Sequence, residues 1–117
     1  MRTANSEDFQ PLSETTLYIL LSLAPGPLHG YAIAKEVRLL SENRVVLSVS
    51  TLYTTLKRLL EDGWIQRVGE DPDPDDGGRP RKVYSLTERG EFIIGVEKKR
   101  LRALLTLVQT RTVGEEK

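Results

Sequence analysis

"SVSTLYTTLKRLLEDGW", residues 48–64, is the stretch on which the fold turns. Ser48 or Ser50 can cap a helix by accepting a backbone N–H, and Gly63 supplies the C-terminal stop. On a helical wheel Leu52, Leu56 and Leu59 share one face, which predicts a buried side. The opposite face collects Ser50, Thr51, Thr54, Lys57, Arg58 and Glu61. Small hydroxyls let a helix approach a groove closely, and cations further along reach flanking phosphates. The wheel by itself equally describes an ordinary solvated helix face.

Two shorter helices are predicted upstream. The first starts at Ser13 as N-cap, with Glu14 placed to favour the helix dipole, and carries Leu17, Leu20, Leu21 and Leu23. "PGP" at 25–27 stops it, since proline cannot continue the hydrogen-bond ladder. The second opens after Gly30, and Ile33, Val37 and Leu40 recur on its expected buried side until "SEN" at 41–43.

Downstream, "WIQRV" (64–68) and "KVYSL" (82–86) alternate loosely and read as a hairpin with a long tip, "EDPDPDDGGRPRK" (70–82). A last helix follows, capped by Thr87. Ile94, Leu101 and Val108 repeat every seven residues on it, with Leu104 and Leu105 beside them. Three helices and a hairpin already fill a small core, so this stripe is in surplus and predicts a dimerisation seam.

The chain has 117 residues, 38% of them hydrophobic and 29% charged, which describes one globular domain of modest core. It has no cysteine and one histidine, His29, so disulfides, thiolate metal sites and a transition-metal cluster are not expected. No G-x-S-x-G and no phosphate-binding glycine loop occurs, and "EDPDPDDGG" lacks the calcium-loop pattern. Neither an enzyme nor a cofactor is expected. No apolar run approaches the roughly 18 residues that span a bilayer, and the start has no hydrophobic signal core, so the expected location is cytoplasmic.

Net charge is zero, but it is segregated: residues 68–78 carry −5 and residues 79–102 carry +5. A local basic surface therefore survives the neutral total.

Three short helices followed by a hairpin is the order of a winged helix-turn-helix, mainly α with a β-hairpin. In that fold the third helix enters the DNA major groove and the wing lies along the backbone. Winged helices also serve as protein-interaction modules, which keeps a reading without DNA open.

"LHGYAIAKEV" (28–37), "STLYTTLKRLLEDGWI" (50–65) and "GGRPRKVYSLTERG" (77–90) together resemble the PadR family of transcriptional regulators. The likeness runs in order from about Leu12 to Leu107, and the single last helix resembles the short branch of that family. It implies a homodimeric regulator of double-stranded DNA, often a repressor, released by a small-molecule effector or a stress signal. By position it implies that Ser50, Thr51, Tyr53, Thr54 and Lys57 read DNA, and that Arg79, Arg81 and Lys82 grip it from the wing. Tyr53 has two readings, a phosphate contact or a ring packed at the core's edge. The last helix would carry dimerisation through Ile94, Leu101, Leu104, Leu105 and Val108. In some short-branch members drug-like ligands lodge between subunits near that helix. Here its one aromatic is Phe92, so an aromatic sandwich for planar ligands is not expected.

The expected layout is a tail at 1–11, a winged helix-turn-helix at 12–86, a dimerisation helix at 87–112 and a tail at 113–117. Within the wing, the acids at 70–76 are expected to lie outside regular structure, on a tip that phosphate repels.

Overall fold

The computed structural model describes residues 11–73, 77 and 79–112, with backbone alone at 71–73 and 79. Helix α1 spans Glu14–Leu23, strand β1 Leu28–His29, α2 Gly30–Leu40 and α3 Val49–Glu61. Strands β2 (Ile65–Asp73) and β3 (Arg79–Leu86) follow, and α4 runs from Glu88 to Arg111. This is a mainly helical winged helix-turn-helix with a small antiparallel sheet.

Local chemistry sets the helix starts. Ser13 accepts the Thr16 N–H at 3.1 Å, Ser48 the Thr51 N–H at 3.0 Å, and Thr87 the Gly90 N–H at 3.0 Å. Each hydroxyl satisfies a donor that the first turn leaves without a carbonyl. At the end of α3 the chain turns on Gly63, whose φ of +77° is open to glycine without strain, and the Trp64 N–H returns to the Leu59 carbonyl.

The α2–α3 turn is held by Ser41, fully buried, whose hydroxyl accepts the Val45 N–H at 2.9 Å. Leu40, expected in the core, is exposed; Ile33 and Val37 are buried on α2, and Ser41 is the buried residue where the helix ends. The same correction applies on α1. Ile19, Leu20 and Leu23 enter the core there, whereas Leu17 is half-buried and Leu21 largely exposed. With Leu52, Leu56 and Leu59 of α3, Ile65, Tyr84 and Ile93, they form one contiguous core. Fully burying such a side chain contributes about 1.5–3 kcal/mol.

The wing differs from its expected form in two ways. It belongs to a three-stranded sheet in the order β1-β3-β2, because the two-residue β1 pairs Leu28 with Tyr84 and His29 with Val83. A strand this short has no alternation to read in sequence.

Its strands are also longer than 64–68 and 82–86. Pairing continues through Glu70↔Lys82, Asp71↔Arg81, Pro72↔Pro80 and Asp73↔Arg79. The acids at 70, 71 and 73 therefore lie within β2, opposite the cations of β3. Residues 74–76 and 78 lie outside the described residues. A register shift between Arg67 and Gly69 marks a bulge, and Gly69 adopts the φ of +155° that it requires.

Candidate nucleic-acid interface

Helix α3 buries Leu52, Thr55, Leu56 and Leu59 and turns Ser50, Thr51, Tyr53, Thr54 and Lys57 to solvent. The Thr51 hydroxyl also takes part in the cap, accepting from the Ser48 hydroxyl at 3.0 Å. Arg58, placed by the wheel beside Lys57, instead donates to the Thr16 hydroxyl of α1 at 2.8 Å. It ties α3 to α1 while remaining exposed beside Lys57.

Next to α3 the wing brings a second set of donors. Arg81 is half-buried and Lys82 exposed. Together with His29, Gly30, Tyr31, Tyr53 and Pro80 they line an open groove of about 590 Å³. The structure thus gathers Tyr53, Arg81 and Lys82 around one concavity, beside the hydroxyl face of α3. The backbone of Arg79 continues β3; its side chain lies outside the described residues.

Tyr53 lies over the start of α2, its hydroxyl directed at Gly30, and remains half exposed at 46%. Below it Tyr84 is 3% exposed, and burial, with Tyr53 adding to it, pushes the Tyr84 phenol above its ordinary range. The ring packs at the edge of the fold and the hydroxyl faces the groove.

His29, Gly30 and Tyr31 line the groove without having been singled out for it in sequence. The available signal was a histidine at a helix N-cap, where Ser, Thr, Asp and Asn are preferred. His29 caps α2 through Nδ1, 3.2 Å from the Ala32 N–H, while Arg81 Nη1 stands 2.8 Å from Nε2. On the outer strand Arg67 pairs with Glu70 at 3.4 Å; both are well exposed, and such a pair contributes little stability.

The far end of the molecule carries a different surface. α4 buries only Gly90, Ile93 and Glu97, and Ile94 packs partly against the core. Beyond it Leu101, Leu104, Leu105, Leu107 and Val108 stand exposed. An apolar groove of about 320 Å³ runs between α1 and α4, lined chiefly by Leu17, Leu21, Ile94, Leu101 and Leu105. Glu97 forms part of that lining and is held by Arg100, with Nε 3.1 Å from Oε1. The guanidinium keeps the Glu97 carboxyl below the usual carboxylate range, against the opposing effect of burial.

Among the described residues, no group of three or more His, Cys, Asp or Glu could hold a metal ion, and no helix is long and apolar enough to cross a membrane.

Residues 19–94 match the model of the transcriptional regulator PadR-like family. The chain resembles a PadR family transcription regulator of Clostridium difficile at 28% identity and a TM-score of 0.68, covering 86% of this chain and all of that one. A Streptococcus mutans protein shares the fold at 24% identity and a TM-score of 0.69, over 92% of this chain and 96% of that one. So does Bacillus subtilis PadR, solved with operator DNA, at 24% identity and a TM-score of 0.61. The alignment there covers 71% of this chain and 45% of that one. Comparison with curated protein sequences gives no match.

Proposed function

Because the chain belongs to the PadR-like family of transcriptional regulators, we propose that it binds double-stranded operator DNA in the cytoplasm as a homodimer and acts as a repressor. Helix α3 enters the major groove and reads bases through Ser50, Thr51 and Thr54, with Lys57 on a flanking phosphate. The wing lies along the backbone through Arg79, Arg81 and Lys82. Two such heads related by a two-fold axis meet successive major grooves about one helical turn apart.

The observation that carries this reading is the convergence of Tyr53, Arg81 and Lys82 on one open groove beside an exposed face of small hydroxyls. Arg and Lys on a concave surface suit phosphate, and short polar side chains on a helix suit base edges. The Bacillus subtilis relative, solved with operator DNA, supports the same use of the fold.

Dimerisation runs through Ile94, Leu101, Leu104, Leu105 and Val108 of α4, the last four of which stand exposed in the single chain. The groove between α1 and α4 lies at that seam and is where a small apolar effector would act on the spacing of the two heads. The apolar side chains of its lining are aliphatic and none is aromatic, which suits a compact ligand better than a stacked planar one.

Retention of genomic fragments on the immobilised protein at low salt, followed by sequencing, tests the reading. One enriched two-fold-related sequence whose binding weakens steeply with salt is expected. Failure to retain DNA at low salt would leave a winged-helix protein-interaction module in its place.

A further inference from the structure

We propose that Arg58 is a second phosphate grip, on the wall of the major groove opposite the wing, and that Thr16 of α1 positions it. This rests on the reading of α3 as the helix that enters the groove, and adds two residues to it.

An α-helix with its side chains is about 10–12 Å across and the major groove about 12 Å wide, so both flanks of a reading helix meet phosphate walls. On α3 one flank is Tyr53, which lines the groove shared with Arg81 and Lys82. At 3.6 residues per turn Arg58 stands roughly 140° around the axis from Tyr53. Ser50, Thr54 and Lys57 fall between the two, on the same exposed side. The wing cations stand on the Tyr53 flank; Arg58 is the cation on the other.

Arg58 is exposed, yet its guanidinium is held. Nη2 donates to the Thr16 hydroxyl at 2.8 Å. Thr16 is a firm anchor. It is 4% exposed, its N–H donates to the Ser13 hydroxyl at 3.1 Å, and the two hydroxyls meet at 3.0 Å.

The chemistry of the acceptor matters as much as its place. Glu61 and Asp62 follow Arg58 at the spacings where helical ion pairs form, yet among the described residues neither pairs with it. A carboxylate would hold the guanidinium and also cancel its charge. A hydroxyl is neutral, so it holds the group and leaves the charge whole. A guanidinium has five N–H donors in a planar fork, and Thr16 takes one of them. Fixing a long side chain before phosphate arrives reduces the entropy lost on binding.

Single methylphosphonate substitutions in the enriched operator, each removing one phosphate charge, test the grip with the full-length protein. Arg58→Ala is expected to weaken all sequences roughly tenfold and to flatten the salt slope by about one unit. It should silence methylphosphonate effects on one wall of the groove, and Lys82→Ala those on the other. A lower thermal midpoint with an unchanged salt slope and phosphate map would overturn the grip, since a helix tie alone predicts that pattern. Silencing of the same phosphates by both variants would overturn it as well.

Thr16→Val keeps the shape of the side chain and removes the hydroxyl. Affinity should fall roughly three- to tenfold at a salt slope close to wild type, because Arg58 keeps its charge, and Thr16→Ser should restore it. The double variant should bind no more weakly than Arg58→Ala alone; effects that multiply would remove Thr16 from positioning. Arg58→Lys, at an exposed site, keeps the charge and gives up the held fork, so it should show the same loss at the same slope. Wild-type affinity in that variant would also defeat the positioning, even where Thr16→Val fails to fold. Wild-type protein that retains no DNA would instead defeat the functional reading beneath, and the two failures are distinct.

Discussion

The hydroxyl of Tyr53 occupies the space that a side chain on residue 30 would need: a β-carbon built on Gly30 would stand 2.6 Å from Tyr53 Oη and 3.0 Å from Cζ. The two residues belong to α3 and α2, so a glycine in one helix of the head sets where a tyrosine of the other can lie. The atom in the way is the far end of a half-exposed side chain, which can move aside.

Gly30→Ala is accordingly expected to fold, with a change in stability within about 1 kcal/mol, because alanine is favoured over glycine in a helix and Tyr53 yields. DNA affinity should fall to the level of Tyr53→Phe, since both variants take the hydroxyl from its place. Denaturant titration and operator binding, run side by side, check this. An affinity equal to wild type would remove Tyr53 from the interface.

Gly90→Ala should behave in the opposite way. A β-carbon there collides with the Trp64 carbonyl oxygen, which already accepts the Thr87 N–H at 3.1 Å. Neither backbone can move without parting α4 from the end of α3, where the Thr87 hydroxyl also donates to the Gly63 carbonyl at 2.6 Å. A loss of about 3 kcal/mol in urea unfolding is expected.

Thr54→Ala and Lys82→Ala separate reading from gripping. Thr54 lies on the exposed face of α3 and should shift preference at one operator position more than it changes mean affinity. Lys82 is an exposed wing cation and should weaken all sequences alike, flattening the salt slope by about one unit. Selection from random DNA with each variant distinguishes the two outcomes.

Leu101→Glu should yield monomers by light scattering. Leu101 is 43% exposed and lines the groove between α1 and α4, so a carboxylate there leaves the core intact and charges the proposed seam. A dimer that survives would move the seam elsewhere.

Glu97 predicts the acid limb of stability. Its native pKa is depressed, chiefly by the Arg100 hydrogen bond, so the folded state holds the ionised form more strongly than the unfolded chain does. The contribution is fully present above the ordinary carboxyl value of 4.5 and is lost as pH falls through the lower native value. Glu97→Gln should lower the thermal midpoint at neutral pH and remove that part of the acid dependence. Midpoints measured across the acid range test it.

The starts of α1, α3 and α4, the stop at Gly63, and the leucine face of α3 were legible in the sequence alone. Capping joins a side chain to an amide three residues away, and a helix face repeats within four, so the chemistry is complete within a short window. The surplus stripe on α4 was legible for the same reason.

Tertiary structure decided what depends on distant partners. Leu28 and His29 become a strand because β3 comes to lie beside them. Arg58 is tied back to α1 because Thr16, 42 residues away, accepts its hydrogen bond. The sign reversal in the wing was plain in sequence, but its meaning depends on register. Past the bulge at Gly69 the acids of β2 fall opposite the cations of β3, and no periodicity within either strand specifies that offset. The meeting of His29 and Arg81 depends on the same placement, since packing across the sheet, and not neighbourhood in the chain, brings an imidazole to a guanidinium.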